Sequence, residues 1–131
     1  MSNSNKKNTP ESLIIVRSEE LVDQFLDAVW MERGLSKNTL GAYRADLMTL
    51  ARSLAESGKS IDGAKKPDLL DFITRRVESG AKPRSTARQI SSFRRFFRYI
   101  QREGSCSNDP TADIEMPRIG RSLPKTLTEE E

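Results

Sequence analysis

The sequence predicts an all-α protein, a compact bundle of four main helices with flexible tails. Apolar residues recur at spacings of three and four in four segments, which is the helical period. No segment alternates apolar and polar residues as a half-buried strand does. A glycine follows each periodic segment, where a left-handed residue commonly ends a helix. These residues are Gly34, Gly58, Gly80 and Gly104. Short connections between such helices favour a compact bundle.

The first helix is predicted to begin after Ser18. Serine is a good N-cap, and Glu19 and Glu20 suit the positive end of the helix dipole. The predicted apolar face comprises Leu21, Val22, Phe25, Leu26 and Val29. Residues 1–17 are rich in Ser, Asn and Lys. They are therefore predicted to be a disordered tail, in which Leu13–Val16 docks on the body.

The second and third helices have equally local signals. Ser36 is the predicted N-cap of the second helix, and Gly58 ends it. Its apolar face comprises Leu40, Tyr43, Leu47, Leu50 and Leu54. After a loop over residues 58–66, Pro67 suits the first turn of the third helix and Asp68 suits its positive end. The predicted face of this helix comprises Leu69, Leu70, Ile73 and Val77.

The fourth helix, predicted from Ser85 to Glu103, is both apolar and basic. Its apolar stripe comprises Ile90, Phe93, Phe97 and Ile100. Residues 81–104 hold seven Lys and Arg against one Glu, a local net charge of +6, whereas residues 18–35 carry a net charge of −4. The whole chain carries only +3. Such segregation favours a surface directed at nucleic acid. The alternative is a solvated basic helix.

Composition excludes several classes of chemistry. The 131-residue chain has no histidine and one cysteine, Cys106. It therefore lacks the residues for an intrachain disulfide, a zinc site or His-based acid–base catalysis. No cofactor or metal is expected. The sequence shows neither a signal peptide nor a membrane span, and we expect a cytoplasmic protein.

Several blocks of sequence, in order, resemble the N-terminal core-binding domain of tyrosine recombinases, the phage integrase family, especially the Xer type. The resemblance covers about residues 19–131. Its blocks are FL at 25–26, ERGLSKNTL at 32–40, AYRADL at 42–47, SSFRRFFRY at 91–99 and NDP at 108–110, followed by LPK at 123–125 and LT at 127–128.

The resemblance implies a SAM-like bundle, two crossed helical hairpins, that closes over one side of duplex DNA as half of a clamp. A separate catalytic domain closes over the other side. The implied domains are a DNA-binding domain over residues 18–108 and a linker with the start of the catalytic domain over residues 109–131. The implied partners are double-stranded DNA, neighbouring recombinase protomers and the chain's own C-terminal catalytic domain, with no membrane or small molecule. This fragment is expected to bind DNA and to hold no catalytic residue, whereas its parent is expected to be a recombinase acting in DNA integration or chromosome-dimer resolution.

In the family, the second and fourth helices enter the major groove. Carried over to this chain, the DNA-binding residues are Ser36, Lys37, Asn38, Thr39, Arg44, Lys82, Arg84, Ser85, Arg88, Ser91, Ser92 and Arg95. Free N–H groups at helix starts attract phosphate, and these side chain types bind phosphate oxygens or base edges. We expect alanine at Lys37 or Arg88 to weaken DNA binding and to leave the fold intact.

Two other functions fit the same pattern. One is a stand-alone helical DNA-binding regulator, and the other is a protein-interaction domain whose basic helix docks on an acidic partner. Tyr43 and Tyr99 are expected to be core-edge aromatics and not nucleophiles. Trp30 is expected at the core edge or against a neighbouring protomer.

Overall fold

The computed structural model describes residues 10–115, and these form four α-helices and one short 3-10 turn. The elements are α1 (Pro10–Arg33), α2 (Lys37–Glu56), the turn Ile61–Gly63, α3 (Lys66–Glu78) and α4 (Pro83–Arg102). Within residues 10–115 there is no strand. The predicted all-α bundle is confirmed. Expectations for residues 1–9 and 116–131 lie outside the described residues.

The connection between α1 and α2 follows the local signals in the sequence. Gly34 has φ of 62°, and its N–H donates to the Trp30 carbonyl at 2.9 Å. Ser36 has extended backbone angles and accepts a hydrogen bond from the Thr39 N–H at 3.2 Å. A left-handed glycine and a serine N-cap thus join the two helices through only three residues.

The predicted start of the first helix is wrong, because α1 begins at Pro10 and not after Ser18. Ser18 is buried inside the helix, and its Oγ accepts a hydrogen bond from the Ile61 N–H at 2.8 Å. Beside it, Arg17 pairs with Asp62 at 3.3 Å. Ser18 therefore satisfies the start of the 3-10 turn and does not cap α1. Residues 10–17 are thus helical, whereas the prediction assigned them to a disordered tail.

The core is assembled around α4. All four residues of its predicted apolar stripe are buried, and so is Phe96. The Phe96 ring meets Phe25 of α1 edge-on at 5.5 Å, and the Phe93 ring meets Phe72 of α3 at 5.7 Å. One helix thus supplies the aromatic surface against which α1 and α3 pack.

The apolar face of α3 differs from the prediction. Leu69 is fully buried, but Leu70 and Val77 are exposed. Phe72, which the predicted face omits, is buried against Phe93. The apolar residues of α3 lie on two faces of the helix. The face that holds Leu69 and Phe72 is buried, and the face that holds Leu70 and Val77 is exposed.

The segment after α4 belongs to the body of the domain up to residue 115. Ile114 is in the core, and Thr111 is buried. Asp109 accepts hydrogen bonds from the Thr111 N–H at 2.8 Å and from its hydroxyl at 2.6 Å, and Arg94 donates to the Ile114 carbonyl. Residues 109–115 thus contact the bundle, whereas the prediction assigned them to the linker.

Candidate nucleic-acid interface

The start of α2 presents some of its predicted residues to solvent. Lys37 and Asn38 are exposed. Ser36 and Thr39 contact each other, because the Ser36 Oγ lies 3.1 Å from the Thr39 Oγ1 and also caps the Thr39 N–H. Their hydroxyls are partly engaged in capping the start of the helix, whereas Lys37 and Asn38 are available.

The start of α4 lies two residues earlier than predicted. Pro83 is the first helical residue and Lys82 is the N-cap position, with no side-chain capping hydrogen bond. Ser85 is therefore inside the first turn and is not the N-cap. Proline favours this position because it has no N–H to satisfy and its φ suits a helix. Lys82 and Arg84 are exposed beside this end.

Six exposed residues form one stripe along α4, at spacings of four and three. This α4 basic stripe comprises Arg84, Arg88, Ser91, Arg95, Arg98 and Arg102. Its spacing places all six on one side of the helix. Four of the predicted site residues lie on it, and the prediction missed Arg98 and Arg102. The same helical period that revealed the apolar stripe would have revealed both.

Arg88 differs from its neighbours because a buried carboxylate holds it. Asp46 of α2 is only 2% exposed. Its Oδ1 accepts from Arg88 Nη2 at 2.7 Å, and its Oδ2 accepts from Arg88 Nε at 3.2 Å and from the Ser92 Oγ at 2.9 Å. These hydrogen bonds raise the pKa of the Arg88 guanidinium above its ordinary value.

This network corrects two expectations. Ser92 is completely buried, which removes it from the predicted DNA-contacting surface. Loss of the Arg88 side chain would leave Asp46 buried without a charge partner, a situation that destabilises proteins. Arg88 is exposed but not independent of the core, so we now expect Arg88→Ala to lower stability, in place of the expectation that it leaves the fold intact.

Arg44 faces α1. It forms ion pairs with Glu19 and Asp23, so its charge is balanced within the domain. Lys37 lies on the same side of α2, in an apolar groove that also includes Asp23, Leu26 and Trp30 of α1. Lys37 and Arg44 thus line a groove between α1 and α2 that contains no residue of the α4 basic stripe. Trp30 is exposed in this groove and is not a core-edge residue.

A cleft between α1 and α4 adds a basic surface that the sequence did not indicate. Its arginines are Arg33, Arg94, Arg95, Arg98 and Arg102. Arg102 reaches Glu32 at 3.7 Å, and Arg94 binds the Ile114 carbonyl. Arg33 ends α1, and only the packing of α1 against α4 brings it to this cleft.

Both tyrosines are core-edge aromatics, as predicted. Their rings lie 6.2 Å (Tyr43) and 5.6 Å (Tyr99) from the ring of Phe25. Burial, with the nearby Glu103 carboxylate, raises the pKa of the Tyr99 phenol. Arg95 lies 6.0 Å from the Tyr43 ring, so a second arginine of the stripe contacts α2.

No cluster of three or more His, Cys, Asp or Glu side chains suited to a metal ion occurs between residues 10 and 115. In the same range, none of the helices combines the length and the apolar character that crossing a membrane requires.

Comparison with known proteins gives a consistent family. Residues 22–104 match the family described as phage integrase, N-terminal SAM-like domain. Tyrosine recombinase XerD of Pseudomonas putida is 48% identical over 109 residues, which cover 83% of this chain and 37% of that protein. The XerD of Pseudomonas aeruginosa is 44% identical over the same length. That of Xanthomonas campestris is 39% identical over 130 residues, 98% of this chain and 40% of that protein. The chain spans about two-fifths of the length of these relatives.

Proposed function

The chain belongs to the phage integrase N-terminal SAM-like family, in its Xer-type tyrosine recombinase branch, and we propose that it binds duplex DNA as half of a clamp. Strand cleavage and rejoining belong to a catalytic domain outside this chain. The cellular role that fits is DNA integration or chromosome-dimer resolution. The partners are duplex DNA, neighbouring recombinase protomers and the catalytic domain.

The α4 basic stripe carries this proposal. Three of its arginines, Arg84, Arg95 and Arg98, form no ion pair with any acidic residue in the described part of the chain. Their charge is therefore available to phosphates, which supply most of the non-specific affinity for DNA. On α1, Glu19 and Asp23 engage Arg44, and Glu32 pairs with Arg102 at the C-terminal end of the stripe, so these acidic residues leave the three arginines unpaired.

A protein-interaction domain with a basic helix remains the competing function. An acidic protein partner and a DNA backbone both attract arginine, but only DNA carries a condensed layer of counterions that binding releases. The response of affinity to salt therefore discriminates between the two. A stand-alone regulator would bind the same DNA equally well without a catalytic domain, whereas a half-clamp gains affinity from its second half.

The test is a gel-shift titration of the chain on a duplex at several salt concentrations. We expect the logarithm of the binding constant to fall linearly with the logarithm of salt, with a slope of about −0.9 per phosphate contact. Glutamine at Arg84, Arg95 and Arg98 together should make this slope shallower by about 0.9 for each phosphate that is no longer neutralised. Lys66→Gln, which removes an exposed charge at the start of α3, is the matched control. A flat salt response, or a triple variant that binds like the control, would reject the proposal.

A further inference from the structure

The pairing between α2 and α4 divides the arginines of the α4 basic stripe into two kinds. Arg84 and Arg98 form no ion pair within residues 10–115, whereas Arg88 is held by a carboxylate that is itself 2% exposed. The Arg88 side chain is nevertheless 57% exposed. It is thus fixed at its inner edge and open at its outer edge.

The atoms of this pair define which part of the guanidinium remains free. Asp46 accepts from Nε at 3.2 Å and from Nη2 at 2.7 Å, so the pair occupies the edge of the guanidinium that these two nitrogens form. The guanidinium is planar and carries five N–H donors in a fixed fork. The adjacent edge, formed by Nη1 and Nη2, keeps two parallel N–H bonds that do not point at the carboxylate.

Small, exposed residues occur near the Asp46–Arg88 pair on both helices. Ala42 lies one helical turn before Asp46 on α2, and Ala45 directly precedes it, and both are exposed and small. On α4, Ser91 follows Arg88 by three residues and is exposed, whereas Ser92 is buried and donates to Asp46 at 2.9 Å. These three exposed positions therefore carry no bulky side chain, and a third hydrogen bond holds the carboxylate in place.

The charge of this arginine is already balanced. A mobile cation attracts phosphate through its net charge and releases counterions on binding. A guanidinium beside a carboxylate contributes much less to phosphate attraction and counterion release. Its orientation, however, is fixed before DNA binds, so little side-chain entropy is lost on binding. Two parallel donors in a fixed orientation match the O6 and N7 acceptors of guanine in the major groove.

We propose that Asp46 is a positioning residue that holds Arg88 as a fixed donor fork for a guanine edge, so that Arg88 contributes sequence specificity while Arg84, Arg95 and Arg98 bind phosphates. The inference rests on the proposed function, because it assigns roles within the same DNA-binding surface. It assigns sequence specificity and phosphate binding to different arginines of one helix.

The test begins with selection of duplexes from a random-sequence library by the wild-type chain and by Arg88→Lys, which keeps the charge and removes the fork. We expect the wild-type sites to contain a guanine that the variant does not select. On two duplexes that differ only by adenine for this guanine, the wild-type chain should discriminate by about tenfold or more, and Arg88→Lys by about twofold or less.

Asp46→Asn provides a readout that a purely structural contact would not change. It retains an acceptor oxygen but frees the Arg88 charge and its rotation. Discrimination between the two duplexes should fall, and the salt slope should steepen by up to about 0.9, since a released guanidinium gains a phosphate contact. Arg84→Gln is the control with the opposite pattern, a shallower slope and unchanged discrimination. Ser92→Ala, which removes only one hydrogen bond to the carboxylate, replaces Asp46→Asn if the latter fails to fold.

The outcomes separate this inference from the proposed function. If Arg88→Lys selects and discriminates like the wild-type chain, the assignment of Arg88 is overturned while DNA binding stands. If Asp46→Asn weakens both duplexes equally with an unchanged salt slope, or if Ser92→Ala in its place leaves the discrimination between the two duplexes unchanged, Asp46 is only a structural partner and the inference fails. If the wild-type chain binds no duplex, the proposed function fails and the inference with it.

Discussion

Arg84 and Arg88, one turn apart on α4, are both exposed but differ in their contacts with the rest of the domain. Arg84 forms no ion pair with the acidic residues described in the structure, whereas Arg88 is joined to buried Asp46. A buried charge that loses its partner is costly, although the exposure of Arg88 allows water to compensate in part. The free energy of unfolding therefore depends on Arg88 and not on Arg84.

We expect Arg88→Ala to lower the free energy of unfolding by about 1–3 kcal/mol, because it leaves the Asp46 carboxylate unsatisfied. Arg84→Ala, the matched control, should change it by less than about 0.5 kcal/mol, as is usual for surface sites. Thermal and urea melts of both variants measure the difference. Equal melting temperatures for the two variants would show that the Asp46 pair contributes nothing to stability.

Ser18 is the second residue whose role depends on a distant partner. Its buried Oγ accepts the Ile61 N–H at 2.8 Å, and alanine would leave that buried N–H without an acceptor. We expect Ser18→Ala to destabilise the chain by about 1–3 kcal/mol. Ser57→Ala at the exposed end of α2 is the control and should be nearly neutral. A urea titration in which both variants unfold at the same midpoint would contradict this role.

At the scale of elements, helix ends whose partners lie within a few residues were predictable. Gly34 ends α1 through a hydrogen bond to a residue four positions away, and Ser36 begins α2 through one to a residue three positions away. Ser18 followed by two glutamates has the same local pattern, yet it lies inside α1. Its hydrogen-bond partner, the Ile61 N–H, is 43 residues away in the sequence. A capping pattern indicates a helix start only where the chain before it is not helical. Residues 10–17 are helical, and their sequence did not predict this.

The start of α3 depends on an acidic side chain. Burial opposes ionisation of Asp68, but hydrogen bonds from the Lys59 side chain and the Lys65 N–H lower its pKa below the ordinary value. A carboxyl group whose pKa is lower in the folded state stabilises the fold above its unfolded pKa of about 3.9, and this contribution is lost as the pH falls through the folded value.

We therefore expect Asp68→Asn to destabilise the chain at neutral pH by about 0.5–2 kcal/mol, the usual effect of a helix-start contact. The difference from the wild-type chain should shrink as the pH falls below about 3.9, and it should vanish below the lowered folded pKa of Asp68, where both side chains are uncharged. Denaturant melts across this pH range test the sign. A difference that stays constant down to low pH would mean that the charge of Asp68 is not what stabilises α3.

At the scale of the whole molecule, the sequence indicated which helices carry charge but not which charges are free. The basic character of α4 follows from composition and the helical period. The pairs Arg44–Asp23 and Arg88–Asp46 join residues 21 and 42 positions apart, so only the assembled bundle determines them. The sequence likewise did not indicate which of the two apolar faces of α3 is buried, and the structure shows that it is the face on which Phe72 contacts Phe93. The candidate surface was therefore predicted as a region, and its individual roles required the fold.

The extent of the domain is a property of the whole molecule as well. A boundary at residue 108 follows from the proline-rich sequence beyond it, but Pro110, Thr111 and Ile114 are buried against the bundle. The Ile114 carbonyl also accepts a hydrogen bond from Arg94 of α4. Removing these residues would expose part of the core and release an arginine of the cleft between α1 and α4.

A chain that ends at Asn108 should therefore be less stable than one that ends at Glu115. Loss of Ile114 from the core alone is worth about 2–5 kcal/mol, the usual range for emptying a buried aliphatic site. Ile114→Ala in the full chain separates this packing term from the effect of shortening the backbone. Thermal melts of these three proteins and of the unaltered full chain test the prediction. If both shortened chains melt at the temperature of the full chain, residues 109–115 are a linker after all and the domain ends with α4.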